Sequence, residues 1–493
     1  VYTKTAGQVY NSIIYDNYPE NNEYDGTGIY YRFTCTFPLY TGDGNISNAP
    51  LFVSADNNIF HHQAGSPCIN AGSNALTNDI GDIDGTDRVI STVDMGCYEY
   101  VPEHFSSASN YYAAPNGENH YPYTTPAWAA HNLQDAINAA QPGDTVHVAP
   151  GTYSSSFKFI RGLKNRIGLY KAVTVLAEST DPADTMVYGE TECLTGSFGS
   201  NVVRCAHLTN GAVLAGVTLR NGCTRDFGSL TYEQSGSGAF LDFGGVLSNC
   251  ISAYNSASRW GGGALCYFGG VVSHCILLDN SAQFGAGVRC YFGGLVENCI
   301  VSGNNGYRGA GAQVQNKGTV RNCLITYNQS TDKGGGIYCY KDGVFENCTV
   351  SSNAASVQGG GIYCDSGGTN INMILYYNAA PDGANYYNDD DQAYYMYSCT
   401  TPALSGLNNG PGNISGKPLF EDIADENYRL SSFSDCIDAG TNMPWMAGAH
   451  DLDDNSRIHD DIVDMGAYEF IPEPVGVWVL LLIPAMLRKM NYH

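Results

Sequence analysis

Apolar residues in the middle of the chain fall in short alternating runs, not in the i, i+3, i+4 stripe of a helix. Ile337 and Cys339 alternate across Tyr338, and Phe345, Cys348 and Val350 form a second run. A period of two marks a half-buried strand. The step of three between Phe345 and Cys348 breaks the alternation. A bend at Asn347 restores it, because Asn tolerates the left-handed conformation. A second sharp turn is expected at Gly-X-Gly, which occurs at 261–263, 285–287, 309–311, 334–336 and 359–361, each time followed by Ala, Val or Ile.

These copies start 24 or 25 residues apart, and other residue types keep the same beat. A fixed period in this range means a solenoid. One column holds Cys250, Cys275, Cys299, Cys323, Cys348 and Met373; just before it stand Asn249, His274, Asn298, Asn322, Asn347 and Asn372. A second Asn column runs Asn255, Asn280, Asn304, Asn328, Asn353 and Asn378, and a second thiol column Cys266, Cys290, Cys339 and Cys364. Two or three short strands per coil, with Asn and Gly at the corners, predict an all-β parallel β-helix. Equivalent residues then stack about 4.8 Å apart. Cys, Val and Ile ladders form the core, and Asn amides bond from coil to coil.

The pattern also predicts a tandem duplication. Residues 9–17 match 371–378, and Gly44-Asn45-Ile46-Ser47 with Pro50-Leu51-Phe52 matches Gly412-Asn413-Ile414-Ser415 with Pro418-Leu419-Phe420. Asp94-Met95-Gly96-Cys97-Tyr98-Glu99 matches Asp464-Met465-Gly466-Ala467-Tyr468-Glu469. The expected organisation is the end of a truncated first unit (1–100), a linker (101–110), a second β-helix (111–400), a C-terminal module (401–470) and a hydrophobic segment (471–493). The chain opens at Val1 inside a coil, so a missing N-terminal part, with any signal peptide, is expected. An amphipathic stretch from Asn132 to Ala140, with Leu133, Ala136, Ile137 and Ala140 on one face, predicts a short helix capping the open end of the solenoid.

Leu133-Gln134-Asp135-Ala136-Ile137, Pro142-Gly143-Asp144-Thr145-Val146 and Pro150-Gly151-Thr152-Tyr153 resemble the start of bacterial right-handed β-helix proteins of the pectate-lyase-like superfamily. The Asn-Cys coils and the Gly-Gly-Gly-Ile steps are similar to the same group and to the repeats of polymorphic outer-membrane proteins. The resemblance, with the rule for parallel crossovers, implies a right-handed helix. It does not imply one activity, because the superfamily includes lyases, hydrolases, epimerases and non-catalytic adhesins. Pro472-Glu473-Pro474, the apolar run 475–487 and Arg488-Lys489 resemble a PEP-type sorting signal. The run is shorter than the roughly 20 residues an ordinary span needs. The resemblance implies transient membrane contact, a Gram-negative-type bacterium and an extracellular or surface-attached mature protein.

The net charge of −25 argues against nucleic acid and anionic membrane as partners. The seventeen cysteines read mainly as buried free thiols, since most solenoid cysteines sit where neighbouring coils carry Val, Leu or Met. A polysaccharide lyase of this fold needs acidic groups that hold calcium and a basic residue that takes a proton beside a uronate. Arg289, Arg308 and Lys333 are the candidate bases, and Glu297 and Glu346 candidate cation ligands. Their columns are expected at different places around the coil, without a compact acidic set beside a base. Trp260, Phe284, Tyr338 and Tyr363 are candidate platforms for sugar rings, in a chain with 36 Tyr. Phe243, Phe268 and Phe292 are expected to pack on one another. Asp82, Asp84 and Asp87, with Asp451 and Asp453, have the short spacing of calcium loops. Val93 and Ile462 stand where an EF-hand needs Glu, which leaves a polar turn as the competing reading. Calcium is the one cofactor suggested. The function expected is binding of extracellular polysaccharide or another surface ligand; lyase or hydrolase action on uronate-rich glycans is the alternative.

Overall fold

The computed structural model describes residues 7–15, 29–54, 59–63, 65–77, 82, 92–100, 110–189, 198–390 and 392–472. The linker (bar Asn110), Asp84, Asp87, Cys193 and the sorting segment from Glu473 onward lie outside them. Three long sheets run along the solenoid, with eleven, ten and ten strands, and a four-stranded sheet adds a fourth side to the central coils. Pairing between successive coils is parallel, with register shifts at Gly306/Arg308 and Val314/Gln315: Ala264, Leu265, Cys266 and Tyr267 pair with Val288, Arg289, Cys290 and Tyr291. The fold is the expected right-handed parallel β-helix.

Each coil turns at the residues the alternation marked. Asn249, His274, Asn298, Asn322, Asn347 and Asn372 all take positive φ between 48 and 54°, as do the first glycines of the five Gly-X-Gly steps, between 60 and 66°. Between these corners the inward residues stack into one core containing Val272, Val296, Val320 and Phe345 beside Cys275, Cys299, Cys323 and Cys348. Burial pushes the Cys250 and Cys323 thiols well above their usual range, so they stay protonated and pack as small apolar groups. Among the described residues the Cys250–Cys348 column and the Cys266, Cys290, Cys339 and Cys364 column are free thiols. Cys223 is disulfide-bonded, which corrects the free-thiol reading at that position.

The second Asn column forms a buried ladder. The Oδ1 of Asn304 accepts from both the backbone N–H (2.9 Å) and Nδ2 (3.0 Å) of Asn280. Asn304 in turn donates from the same two atoms to Asn328 Oδ1. The pattern repeats from Asn255 to Asn378 and closes on Asn385. Buried amides are therefore bonded from coil to coil, as their spacing implied.

At the N-terminal end, helix α1 (Leu133–Ala139) lies on the first coils with Leu133, Ala136 and Ile137 buried. Gln134 pins it to the sheet, donating to Gly168 O and accepting from Gly168 N–H at 2.7 Å. At the other end, the segment after residue 401 folds back along the flank of the solenoid. The side chains of Asn298 and Asn322 donate to His450 O, Asn347 to Asp464 O and Asn372 to Thr441 O, at 2.8–3.1 Å. The first Asn column thus makes the bends and also holds the returning chain, a role its local sequence does not disclose. Corresponding residues of the two matching segments make corresponding bonds. Asp94 accepts from Asn70 and Tyr100 N–H, and Asp464 from Asp438 and Phe470 N–H.

A buried acidic knot closes the returning segment. Arg457 donates to Gly466 O at 2.6 Å and lies 3.3 Å from Glu469, while Glu469 accepts from Asp464 N–H. Burial pushes Glu469 up to about 8 and Asp464 up to about 6, against the pull of Arg457. No helix among the described residues is long and apolar enough to cross a membrane.

Two outcomes follow from this architecture. Asn304→Ala orphans two buried donors of Asn280 and is expected to cost on the order of 3 kcal/mol in denaturant unfolding; a loss below about 0.5 kcal/mol would refute the ladder's role. Unfolded carboxylates titrate near 4–4.5. From there to about 8 the folded chain binds more protons than the unfolded one, so the stability of residues 434–470 falls as pH rises. Hydrogen exchange should show progressively weaker protection of this segment between pH 5 and 8, and Glu469→Gln should flatten that trend.

Candidate binding groove

The glycine corner decides where side chains meet. At each Gly-X-Gly the chain leaves the four-stranded sheet and enters a ten-stranded one at a sharp inner angle. A Cβ on Gly285 would stand 2.8 Å from Arg289 Cβ, one on Gly309 2.8 Å from Tyr338 Cβ, and one on Gly359 2.8 Å from Tyr363 Cβ. The missing side chains, together with positive φ, let two outward columns close on each other. One is Trp260, Phe284, Arg308, Lys333 and Gln358. The other is Phe240, Leu265, Arg289, Gln313, Tyr338 and Tyr363. Expected at different places around the coil, the two columns meet along one inner corner of the solenoid, a groove whose floor from Phe240 to Tyr363 is buried and whose half-buried wall is the Trp260–Gln358 column.

The N-terminal half of the groove is aromatic. Tyr267 stacks on Tyr291 at 5.6 Å and 3°, and Tyr291 on Trp260 at 5.3 Å. Tyr232, from the loop before Ala239–Asp242, stacks on Phe240 and meets Tyr267 edge-on. Beside them Phe243, Phe268 and Phe292 stack at 5.5 and 5.1 Å. Packing of this column was expected, and it is present, but the three rings are also 51, 40 and 43% exposed. They form an open apolar stripe, of the kind that marks an interaction surface. Trp260 and Phe284 are half-buried at the groove wall.

Arg289 lies in this half, its guanidinium 4.4 Å from the Trp260 ring and 5.2 Å from Tyr291. Its hydrogen bond runs from Nη2 to Gln315 Oε1 at 2.5 Å. It is buried, and burial lowers it from the usual arginine range to about 9.

The C-terminal half is polar. Arg308 Nε donates to Asp332 at 2.5 Å, and its guanidinium lies over Tyr338. Partial desolvation notwithstanding, the Asp332 hydrogen bond and the nearby Tyr338 raise Arg308 above its usual range, so it stays charged. Lys333 Nζ donates to Tyr363 OH at 2.7 Å. Tyr338 donates to Asp365 at 2.7 Å, and Gln358 to Asp382 at 3.0 Å. Tyr338 and Tyr363 are buried and stack on each other and on Tyr387. They brace the wall and offer no open face to a sugar. The exposed aromatic surface is the Phe stripe, beside half-buried Tyr267 and Tyr291, and the signal that marks the stripe is its coil spacing before Gly-Gly.

The remaining candidates lie elsewhere. Glu297 pairs with Arg321 at 2.6 Å on the eleven-stranded sheet, and Glu346 sits in the adjacent coil beyond Arg321 on the same sheet. Asp451 is buried and accepts from the backbone N–H groups of Asp453, Asn455 and Glu469. Asp453 pairs with Arg429, and Asp82 accepts from Glu99 N–H at 2.9 Å. Asp451 bonds within its own turn, whereas Asp453 and Asp82 reach residues 24 and 17 positions away. Among the described residues no three His, Cys, Asp or Glu side chains are grouped to hold a metal ion.

A family model described as "Right handed beta helix region" matches residues 208–393, the stretch that carries this groove. Solved structures with similar folds include pectate lyase Pel9A, at 14% identity over 73% of this chain and 96% of that one with a TM-score of 0.47. Pectin methylesterase from carrot is similar at 11% identity over 59% and 85%, with a TM-score of 0.29. No curated protein matches the chain.

A buried arginine without a carboxylate adds little to stability. Arg289→Met is therefore expected to melt at or above the wild-type temperature in calorimetry, in contrast to Asn304→Ala. A drop of several degrees in Arg289→Met would show that Arg289 serves the fold.

Proposed function

We propose that this is an extracellular β-helix protein that binds polysaccharide along the glycine-corner groove, as an adhesin-like or glycan-capturing surface protein. The observation that carries the reading is the open aromatic half: stacked Tyr267, Tyr291 and Trp260 beside the exposed Phe243–Phe268–Phe292 stripe. Flat apolar faces flanked by polar groups suit sugar rings, which pair an apolar face with hydroxyl edges. The match between the two segments supports two copies of one unit in the chain. The Pro-Glu-Pro segment with its apolar run and basic end supports export and transient membrane contact.

A second reading, a polysaccharide lyase, draws support from Arg289, which burial lowers to about 9, closer to the range where a base works. Calcium, on this reading, would be held by Asp82, Asp84, Asp87, Asp451 and Asp453, of which Asp451 and Asp82 already accept backbone hydrogen bonds.

A glycan array read with the wild type should return a set of bound polysaccharides, and Trp260→Ala/Tyr291→Ala should weaken each by about tenfold or more. Unchanged binding in that variant places recognition outside the groove. Appearance of unsaturated product at ultraviolet wavelengths on any bound glycan, lost in Arg289→Met, would favour the lyase.

A further inference from the structure

In the aromatic half Arg204 is satisfied by carbonyls and an amide, but Arg259 and Arg289 lack a carboxylate and keep unpartnered donors. Arg259 lies 5.8 Å from the Trp260 ring and 5.9 Å from Phe284, and Arg289 lies 4.4 and 5.7 Å from the same rings. The two are close enough for the charge of Arg259 to disfavour that of Arg289. Neither forms an ion pair with any described residue, whereas Arg225, Arg308, Arg321 and Arg429 each do. The Nε atoms of both are buried without a hydrogen-bond partner, and so is Oε1 of the neighbouring Gln313. Scarcity of acid is not the reason, since the chain carries 48 Asp and Glu against 23 Lys and Arg. A buried cation beside a half-buried one, each with an orphaned Nε donor, is costly, and aromatic contacts offset only part of that cost. Guanidinium donors left without a protein partner beside aromatic walls are suited to paired hydrogen bonds with an oxyanion.

The other half of the groove has the opposite sign. Asp332, Asp365, Asp382 and Asp389 lie around Tyr338 and Tyr363, with Arg308 and Lys333 already engaged. Arg289 and Tyr363 are three rungs apart, about 14 Å at the spacing of stacked strands. A uniformly charged polymer laid along the groove would meet these carboxylates within a screening length or two.

We infer that Arg259 and Arg289 form an oxyanion site, and that the groove takes a largely neutral glycan carrying an isolated anionic substituent, a sulfate ester or a single uronate carboxylate. This rests on the glycan-binding reading, and the experiment separates the two. The first arm uses inorganic sulfate alone. At matched ionic strength sulfate should raise the melting temperature relative to chloride by about 2 °C or more, and Arg259→Gln/Arg289→Gln should abolish the difference. Circular dichroism and the chloride melting curve establish that this variant is folded. The second arm compares neutral oligosaccharides bound on the array with their singly sulfated and singly uronate-substituted forms, and with polygalacturonate. The substituted forms should bind about tenfold tighter than their neutral parents and tighter than polygalacturonate, with the advantage lost in the double variant. Whichever substituent gains more identifies the source of the oxyanion. Equal binding of neutral and substituted forms, strongest binding of polygalacturonate, or a sulfate shift that is absent or persists in the variant overturns the inference. Neutral glycans bound equally by wild type and variant would leave the glycan reading standing without the oxyanion site. A sulfate shift that depends on both arginines, with no glycan bound, would do the reverse.

Discussion

Register between successive coils is the constraint on which everything else rests, and the buried asparagine ladder is what enforces it. Each Asn Oδ1 accepts two hydrogen bonds from the coil before it, so a slip of one residue would strand an amide and a backbone N–H together in the core. Apolar ladders alone would tolerate sliding, because Val, Ile and Cys are nearly interchangeable along the stack. With register fixed, a residue type repeated at the coil period becomes a continuous surface. The aromatic stripe, the cation column and the run of tyrosines are all products of that translation.

The groove also depends on glycine at one corner. A side chain on Gly285 or Gly359 would collide with the residue that lines the groove one strand later, and one on Gly309 with Tyr338 of the next coil. The same positions carry a positive φ that disfavours other residues. The glycine steps thus shape the fold and open the angle in which the two outward columns face each other. The sign change along that angle, from unpaired arginines to carboxylates, comes from substitutions between coils that leave the backbone repeat untouched.

Much of the fold was legible because solenoid contacts are local in pattern. The break in alternation at Asn347 pointed to a left-handed bend, and its φ of 48° is that bend; the capping helix fell at Leu133–Ala139 inside the predicted stretch. The site was less legible. Whether Arg308 and Tyr338 share a corner depends on the angle at Gly309, which a one-dimensional column does not encode. Tyr338 and Tyr363 stand at outward positions of the repeat, yet they are buried, stacked on each other and on Tyr387 with their hydroxyls bonded to Asp365 and Lys333. The docking of the returning segment was hidden for another reason: its partners lie more than a hundred residues apart for Asn298, Asn322 and Asn347, and neither side of the contact has a local signature.

That returning segment changes how the molecule would carry a load. A solenoid pulled from its last coil peels, one rung after another, each break exposing the next. Here the chain leaves the last coil and is bonded laterally to four coils, through Asn298, Asn322, Asn347 and Asn372. Tension applied at the C-terminal side is therefore shared as shear across several rungs at once, and the terminal rung is not the weakest link in the line of force.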